Sequence, residues 1–171
     1  PLFLGMVGMH GTYWANMSLQ HADLIVAVGA RFDDRVTGKI EAFAPSARIV
    51  HVDVDPTSIK KNVRVDIPIV GDCRNVLREI ARRLAAVRGV RWKQKHAAWW
   101  KQIAGWQEEH PLSYRERKGR IAPQYVVEQI YEVTGGDAII TTEVGQNQMW
   151  AAQFYHFNKP RAFMTSGGLG V

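Results

Sequence analysis

A chain of 171 residues has room for one ordinary domain or parts of two. With 46% hydrophobic and 22% charged residues it has a globular rather than a disordered composition, its apolar runs are too short to cross a bilayer, and no signal-peptide pattern opens it. Its single cysteine, Cys73, rules out an internal disulfide and suits a reducing compartment, while the net charge of +6 comes largely from a solvated helical stretch over residues 74–120 with no nucleic-acid motif. Neither a nucleic acid nor a membrane is therefore expected as a partner.

Residues 1–12 are a short apolar segment running into Gly8-Met9-His10-Gly11-Thr12. Residues 13–21 then have helix-compatible composition, with Thr12 as the N-cap. A glycine-rich turn that opens a helix offers backbone N–H groups to an anion. His10 has no metal-ligand partner at recognisable spacing, so it reads as a packed or hydrogen-bonding histidine.

Residues 22–28, Ala-Asp-Leu-Ile-Val-Ala-Val, read as a buried strand. It empties into Gly29-Ala30-Arg31-Phe32-Asp33-Asp34-Arg35-Val36-Thr37-Gly38. In an open α/β sheet, ligands bind beyond the carboxyl ends of the strands, and a glycine there lets them approach the backbone. Arg31 and Arg35 can fork onto phosphate or carboxylate oxygens, and Asp33 and Asp34 can accept from hydroxyls or orient those arginines. A polar loop with internal salt bridges is the alternative.

A second strand is expected over residues 48–55, ended by Pro56, which lacks the N–H a ladder requires. Its terminal acids, Asp53 and Asp55, stand where a nucleotide-binding sheet places a carboxylate for ribose hydroxyls; an Asx-turn before Pro56 explains them equally well. Residues 67–72 read as an edge strand tolerant of Pro68. Asp72 caps the next helix, 74–87, whose Val76, Leu77, Ile80, Ala81 and Leu84 recur at helical spacing. This alternation predicts an α/β fold with doubly wound parallel sheets. No intact G-x-G-x-x-G fingerprint supports a standard NAD-binding unit.

Residues 89–121 change character. Trp92, Trp99, Trp100 and Trp106 lie among Lys, Gln, Glu and His, which predicts a linker helix followed by an extended arm, with the tryptophans packing against neighbouring domains. A new unit starts at Pro123, suited to the first turn of a helix whose buried face carries Val126, Val127, Ile130 and Tyr131. After the turn Gly135-Gly136-Asp137, residues 138–142 predict a buried strand delivering Glu143-Val144-Gly145-Gln146-Asn147-Gln148 to its carboxyl end. A helix over 149–157, a break at Pro160 and a strand over 161–165 follow, running into Gly167-Gly168-Leu169-Gly170. Two parallel strands with glycine loops at their carboxyl ends make a diphosphate cradle; merely tight loops are the alternative. Because the chain starts without an initiator Met and stops inside that loop, it is expected to be an internal piece of a longer protein.

The order of these pieces resembles the large catalytic subunit of the acetohydroxyacid (acetolactate) synthase family. The resemblance rests on Gly8-Met9-His10-Gly11-Thr12, on 27–36, on His51-Val52-Asp53-Val54-Asp55-Pro56, on 144–153 (Val-Gly-Gln-Asn-Gln-Met-Trp-Ala-Ala-Gln) and on Ser166-Gly167-Gly168-Leu169-Gly170. It implies residues 1–88 as the later part of a central FAD-binding domain, 89–121 as a linker and 122–171 as the start of a thiamine-diphosphate domain. FAD would then contact Val7, Gly8, Met9 and His10, then Gly29, Ala30, Arg31, Asp33, Arg35 and Val36, and finally Asp53, Val54, Gly71 and Asp72. Thiamine diphosphate would be approached by Val144, Gly145, Gln146, Asn147 and Gly170, with Asp34 and Arg35 beside the substrate channel.

The implied reaction joins two pyruvates, or pyruvate and 2-oxobutyrate, with loss of CO2, in valine, leucine and isoleucine biosynthesis. The family's cofactor-activating Glu and its Mg2+ ligands lie outside these residues, so no catalytic or metal-binding residue is assigned here and the piece alone is expected to be inactive. The resemblance further implies a homodimer or homotetramer, a small regulatory subunit, and a cytoplasmic location in bacteria or a plastid or mitochondrial one in eukaryotes. A related thiamine-diphosphate carboligase or oxidase, and a non-catalytic nucleotide-binding module, are the competing readings.

Overall fold

A computed structural model describes residues 2–166. In chain order the elements are a 3-10 turn Gly8–His10, helix α1 (Tyr13–Gln20), strand β1 (Leu24–Val28), a short helix α2 (Asp34–Thr37) and a 3-10 turn Ile40–Ala42. Strands β2 (Arg48–Asp53) and β3 (Ile67–Val70) follow, then helices α3 (Cys73–Ala86), α4 (Trp92–Lys95), α5 (Ala97–Glu109) and α6 (Pro123–Thr134). Strand β4 (Ile140–Thr142), helix α7 (Gln146–Phe154) and strand β5 (Phe163–Thr165) complete the order. The chain divides into two compact units, Met17–Gln107 and a second that combines the N-terminal stretch through Asn16 with everything from Glu108 onward.

In Met17–Gln107 the sheet runs β1-β2-β3 and is wholly parallel, as the strand–helix alternation predicts. Pro68 sits on the edge strand β3, opposite His51, where its missing N–H costs no inner ladder bond. The core gathers Ile25 and Ala27 of β1, Ile49 of β2, and Phe32, Ala44, Ala47, Val63 and Val65 from the connections. The expectation of a fully buried β1 needs correcting. Ile25 and Ala27 point inward, but Leu24, Val26 and Val28 are 54%, 48% and 36% exposed, because the described elements cover only one face of this strand.

Helix α3 begins as expected: the Asp72 carboxylate accepts from Asn75 N–H at 3.0 Å, a cap of the kind worth about 1 kcal/mol. On its outer face Glu79 receives Arg82 and Arg83 at 2.7 Å each, and these hydrogen bonds hold its carboxyl down to about 2. The tryptophans do not all await a neighbour. Trp99 and Trp106, two turns apart on α5, meet edge to face at 5.6 Å, and His21 lies 5.6 Å from Trp106 in the same unit, while Trp92 and Trp100 stay partly exposed.

In the other unit α6 opens on Pro123 and ends on Gly135 in the left-handed conformation, with Gly136 also left-handed. β4 and β5 pair in parallel, and α7 packs on β4. The strand expected buried over 138–142 is shorter and half open: Ile139 is 66% exposed, since a two-stranded ribbon covered by one helix leaves a face bare. Helix α7 starts at Gln146, not Met149. Gly145 serves as its N-cap, so Gln146, Asn147 and Gln148 form the first turn.

The extended arm after α5 is tied to α6 by Tyr114, whose hydroxyl donates to Glu128 Oε2 at 2.5 Å. Accepting that proton favours the neutral phenol, so the bond to Glu128 pushes the Tyr114 pKa from 10.0 up to about 12. A raised folded pKa contributes stability that is complete below pH 10 and lost as pH rises through 12. Ultraviolet titration of tyrosinate in the full-length protein should find a tyrosine ionising near 12, and Glu128→Gln should return it toward 10. An unchanged profile in that variant would refute the assignment.

Candidate cofactor sites

The carboxyl ends of β1, β2 and β3 bring the first group of expected residues to one edge of the sheet. Gly29 leaves β1 with φ +62°, its N–H still bonded to Val52 O at 2.8 Å, and a side chain there would meet only Cys73 Sγ at 4.0 Å. Space above its backbone is therefore open to a ligand. Asp53 ends β2, and Gly71 N–H donates to Asp53 O at 2.9 Å, so Asp53, Val54, Gly71 and Asp72 cluster around the β2 and β3 ends.

The loop after Gly29 is pinned from within. Phe32 adopts φ +51°, unusual for a non-glycine residue, and its ring is buried edge-on against His51 at 5.1 Å and Phe43 at 5.9 Å. Asn62 Nδ2 donates to both Arg31 O (3.1 Å) and Phe32 O (2.9 Å). With the backbone so held, Arg31, Asp34 and Arg35 are exposed, while Asp33 is partly buried. Arg31 lies 3.8 Å from Asp33 and Arg35 bonds Asp34 at 2.9 Å, so the internal salt bridges of the plainer reading are present as well.

Asp53 makes the Asx-turn of the plainer reading. Its Oδ1 accepts from Asp55 N–H at 2.9 Å, an Asx-turn, while its Oδ2 lies 4.0 Å from His51 Nε2. Asp55 repeats the turn on Thr57, whose hydroxyl and N–H lower its pKa, and so is committed to the loop rather than to a ligand. The Asp72 carboxylate is spent in the same way on the α3 cap. Two groups remain unsatisfied: Asp33 Oδ1 and both nitrogens of His51 are buried with no hydrogen-bond partner among the described residues. The unpaired Asp33 oxygen, in the loop that follows the open Gly29, favours a polar occupant of this edge.

The second group surrounds the start of α7. Gly145 has φ 156° and ψ −173°, and a Cβ there would stand 2.7 Å from Asn147 Oδ1. No side chain among the described residues caps the helix, so the N–H groups of Gln146 and Asn147 face outward at the positive end of the dipole. Val144, Gly145, Gln146 and Asn147 are all exposed. A cradle that a Cβ would fill, at an uncapped helix mouth, fits a diphosphate. Gly170 lies outside the described residues.

Residues 7–10 sit in the same unit as α7. Asn16 clamps the turn, accepting from Gly8 N–H at 2.6 Å and donating to Gly8 O at 3.0 Å. Thr12 Oγ1 caps α1 by accepting from Ala15 N–H at 3.2 Å, as expected. His10 is a hydrogen-bonding histidine, 3.0 Å from Gln148 Oε1. The bracing roles of Asn62 and Gln148 had no signal in the sequence: each is an ordinary polar residue whose partner is far away along the chain. Among the described residues no group of three or more His, Cys, Asp or Glu could hold a metal, and no helix is long and apolar enough to cross a membrane.

Comparison with known proteins points to thiamine pyrophosphate enzymes. Residues 1–80 match the family Thiamine pyrophosphate enzyme, central domain, and 143–171 match Thiamine pyrophosphate enzyme, C-terminal TPP binding domain. Acetolactate synthase isozyme 3 large subunit of Escherichia coli (strain K12) is 48% identical over 98% of this chain and 29% of its own length. The acetolactate synthase of Mycobacterium bovis is 47% identical over 98% of the chain and 27% of its own length, and the large subunit of Haemophilus influenzae 46% over 99% and 29%. The chain thus spans under a third of the relatives it matches. It is a homologue of acetolactate synthase large subunits over nearly all its residues, and its two matched segments are those of thiamine pyrophosphate enzymes.

Proposed function

We propose that these residues are part of an acetolactate synthase large subunit. That enzyme condenses two pyruvates to 2-acetolactate, or pyruvate and 2-oxobutyrate to 2-aceto-2-hydroxybutyrate, with loss of CO2, toward valine, leucine and isoleucine. The observation that carries the reading is the uncapped α7 mouth behind Gly145, in a segment whose sequence matches a thiamine-pyrophosphate-binding domain. Thiamine diphosphate, when bound, supplies the electron sink that decarboxylation of a 2-oxo acid requires.

The chain's own contribution is positional. The N–H groups of Gln146 and Asn147 would donate to diphosphate oxygens, the Asn147 amide would add a donor, and Val144 and Gly145 would allow close approach of the backbone. Gly170 joins them by resemblance, and Mg2+ is held by residues outside this sequence. No residue here is assigned a proton-transfer or bond-making role, so the 171 residues alone do not turn over pyruvate.

FAD is assigned to the strand-end edge, with Arg31 and Arg35 on its phosphates and Asp53 toward its ribose; the open Gly29 backbone and the unsatisfied Asp33 oxygen support this. Residues 7–10 are assigned to the flavin, and Asp34 with Arg35 to the substrate channel, on the resemblance. The domain division 1–88, 89–121 and 122–171 is supported by the family matches over 1–80 and 143–171. The intact subunit would act as a homodimer or homotetramer with a small regulatory subunit, in the cytoplasm of a bacterium or an organelle of a eukaryote.

The test is flavin absorbance and fluorescence of the full-length subunit after gel filtration. Bound flavin is expected in the parent. Arg31→Ala and Asp33→Ala should each weaken flavin binding by about 10- to 100-fold, the scale of a lost hydrogen bond to a charged group. A subunit that forms acetolactate yet never carries flavin would overturn the flavin assignment. One that carries neither flavin nor activity would favour a non-catalytic nucleotide-binding module.

A further inference from the structure

We propose that Gln148 is a positioning residue that ties the turn at residues 7–10 to the diphosphate end of α7, so that occupancy of either cofactor site is felt at the other. The inference rests on the cofactor assignment above and adds a coupling between its two halves.

Gln148 lies in the first turn of α7 and is only 4% exposed, on the helix's buried stripe with Ala151 and Phe154. A glutamine in such a position must be satisfied or costly. Its amide is fully committed. Nε2 donates to Thr165 Oγ1 and to Ser166 O, both at 2.6 Å, which uses its two hydrogens. The Ser166 carbonyl cannot donate, so the amide cannot be flipped, and Oε1 must face His10. The 3.0 Å contact there is therefore a hydrogen bond donated by His10 Nε2, which fixes the proton on that nitrogen.

Beyond Thr165, the Thr142 hydroxyl donates to Thr165 Oγ1 at 2.7 Å, carrying the network into the β4–β5 pair. Ser166 is the residue before the sequence Gly167-Gly168-Leu169-Gly170, and Gln148 is three residues from the Gly145 cradle. At its far end the network meets His10 directly beside Gly11, whose carbonyl accepts a second bond from α7, Gln153 Nε2 at 3.0 Å. One side chain thus braces three segments: the 7–10 turn, the mouth of α7 and the exit of β5. Any displacement of His10 leaves the Gln148 oxygen unpaired at the cradle, and any shift of the cradle leaves the His10 donor unpaired.

The experiment uses the full-length subunit, stripped of cofactors. Flavin affinity is read by fluorescence with and without saturating thiamine diphosphate and Mg2+, and thiamine diphosphate affinity by calorimetry with and without flavin. Coupling should tighten each ligand about fivefold or more in the presence of the other, by the same factor in both directions. His10→Phe, which removes the donor to Gln148, should bring both factors to about one. His10→Gln, which returns an N–H at similar reach, should restore them.

A merely structural role would lower both affinities in His10→Phe and leave the factors intact, and that result overturns the proposal while the cofactor reading stands. A parent that binds only one of the two cofactors overturns both. If His10→Phe does not yield folded protein, the wild-type factors decide: reciprocal coupling supports the proposal and independent binding refutes it.

Discussion

Gly11→Ala should destabilise the N-terminal turn by about 2–3 kcal/mol, the upper range for a methyl forced into a packed site. The torsions are not the obstacle. Gly11 has φ −80° and ψ 163°, which alanine adopts freely. The obstacle is steric: a Cβ would stand 2.6 Å from Met6 O and 2.8 Å from Val7 C and Cα. All three are backbone atoms, and a backbone cannot swing aside as the end of a side chain can.

Relief would require residues 5–11 to move together. That motion breaks the bonds Gly11 N–H to Gly8 O and Thr12 N–H to Met6 O, and with them the geometry that Asn16 clamps. Gly105→Ala is the matched control. Gly105 lies inside α5 with nothing within 4 Å of the new methyl, so the same substitution should stabilise that helix by up to about 1 kcal/mol. Hydrogen exchange read by mass spectrometry on the full-length subunit separates the two. Exchange should accelerate in peptides covering residues 2–14 for Gly11→Ala and slow across residues 97–109 for Gly105→Ala. Unchanged exchange at 2–14 would show that the turn is looser than its contacts imply.

What the sequence made legible was local. Asp72 before a helical repeat, Pro123 at a helix start, Gly135-Gly136 after a helix and Pro68 on an edge strand each act within a few residues, and each stands where expected. Burial was less legible, because it depends on which neighbours cover a face. The apolar residues of β1 and of 138–142 looked alike in sequence, yet only alternate β1 residues are enclosed. The braces were not legible at all. Asn62 reaches back 31 residues to Arg31 and Gln148 reaches 138 residues to His10, and no spacing rule links such pairs. The left-handed Phe32 was equally hidden, since its strained backbone is held by a ring sealed against His51 and Phe43. The chemistry-bearing loops could thus be found from the chain, but not the long-range contacts that hold them in shape.

At the α7 mouth the largest functional effect is expected from Gly145→Ala. Here the torsions are the obstacle: φ 156° with ψ −173° belongs to a region that essentially only glycine occupies, at a cost of about 1–3 kcal/mol for any other residue. The added methyl would also meet Asn147 Oδ1 at 2.7 Å, but that atom ends a flexible, exposed side chain and can turn away cheaply. The backbone term therefore dominates. Alanine can relax it only by rotating the peptides around residue 145, which are the ones that aim the Gln146 and Asn147 N–H groups. Since α7 is anchored through Gln148, Ala151 and Phe154, the helix itself should survive, and the cost should fall on the bound anion. Thiamine diphosphate affinity of the full-length subunit, measured by calorimetry with Mg2+, should drop about 5- to 150-fold. Asn147→Ala removes a single donor and should cost no more than about tenfold. Should Gly145→Ala bind thiamine diphosphate as tightly as the parent, the diphosphate does not sit on this helix, and the central observation behind the synthase reading is lost.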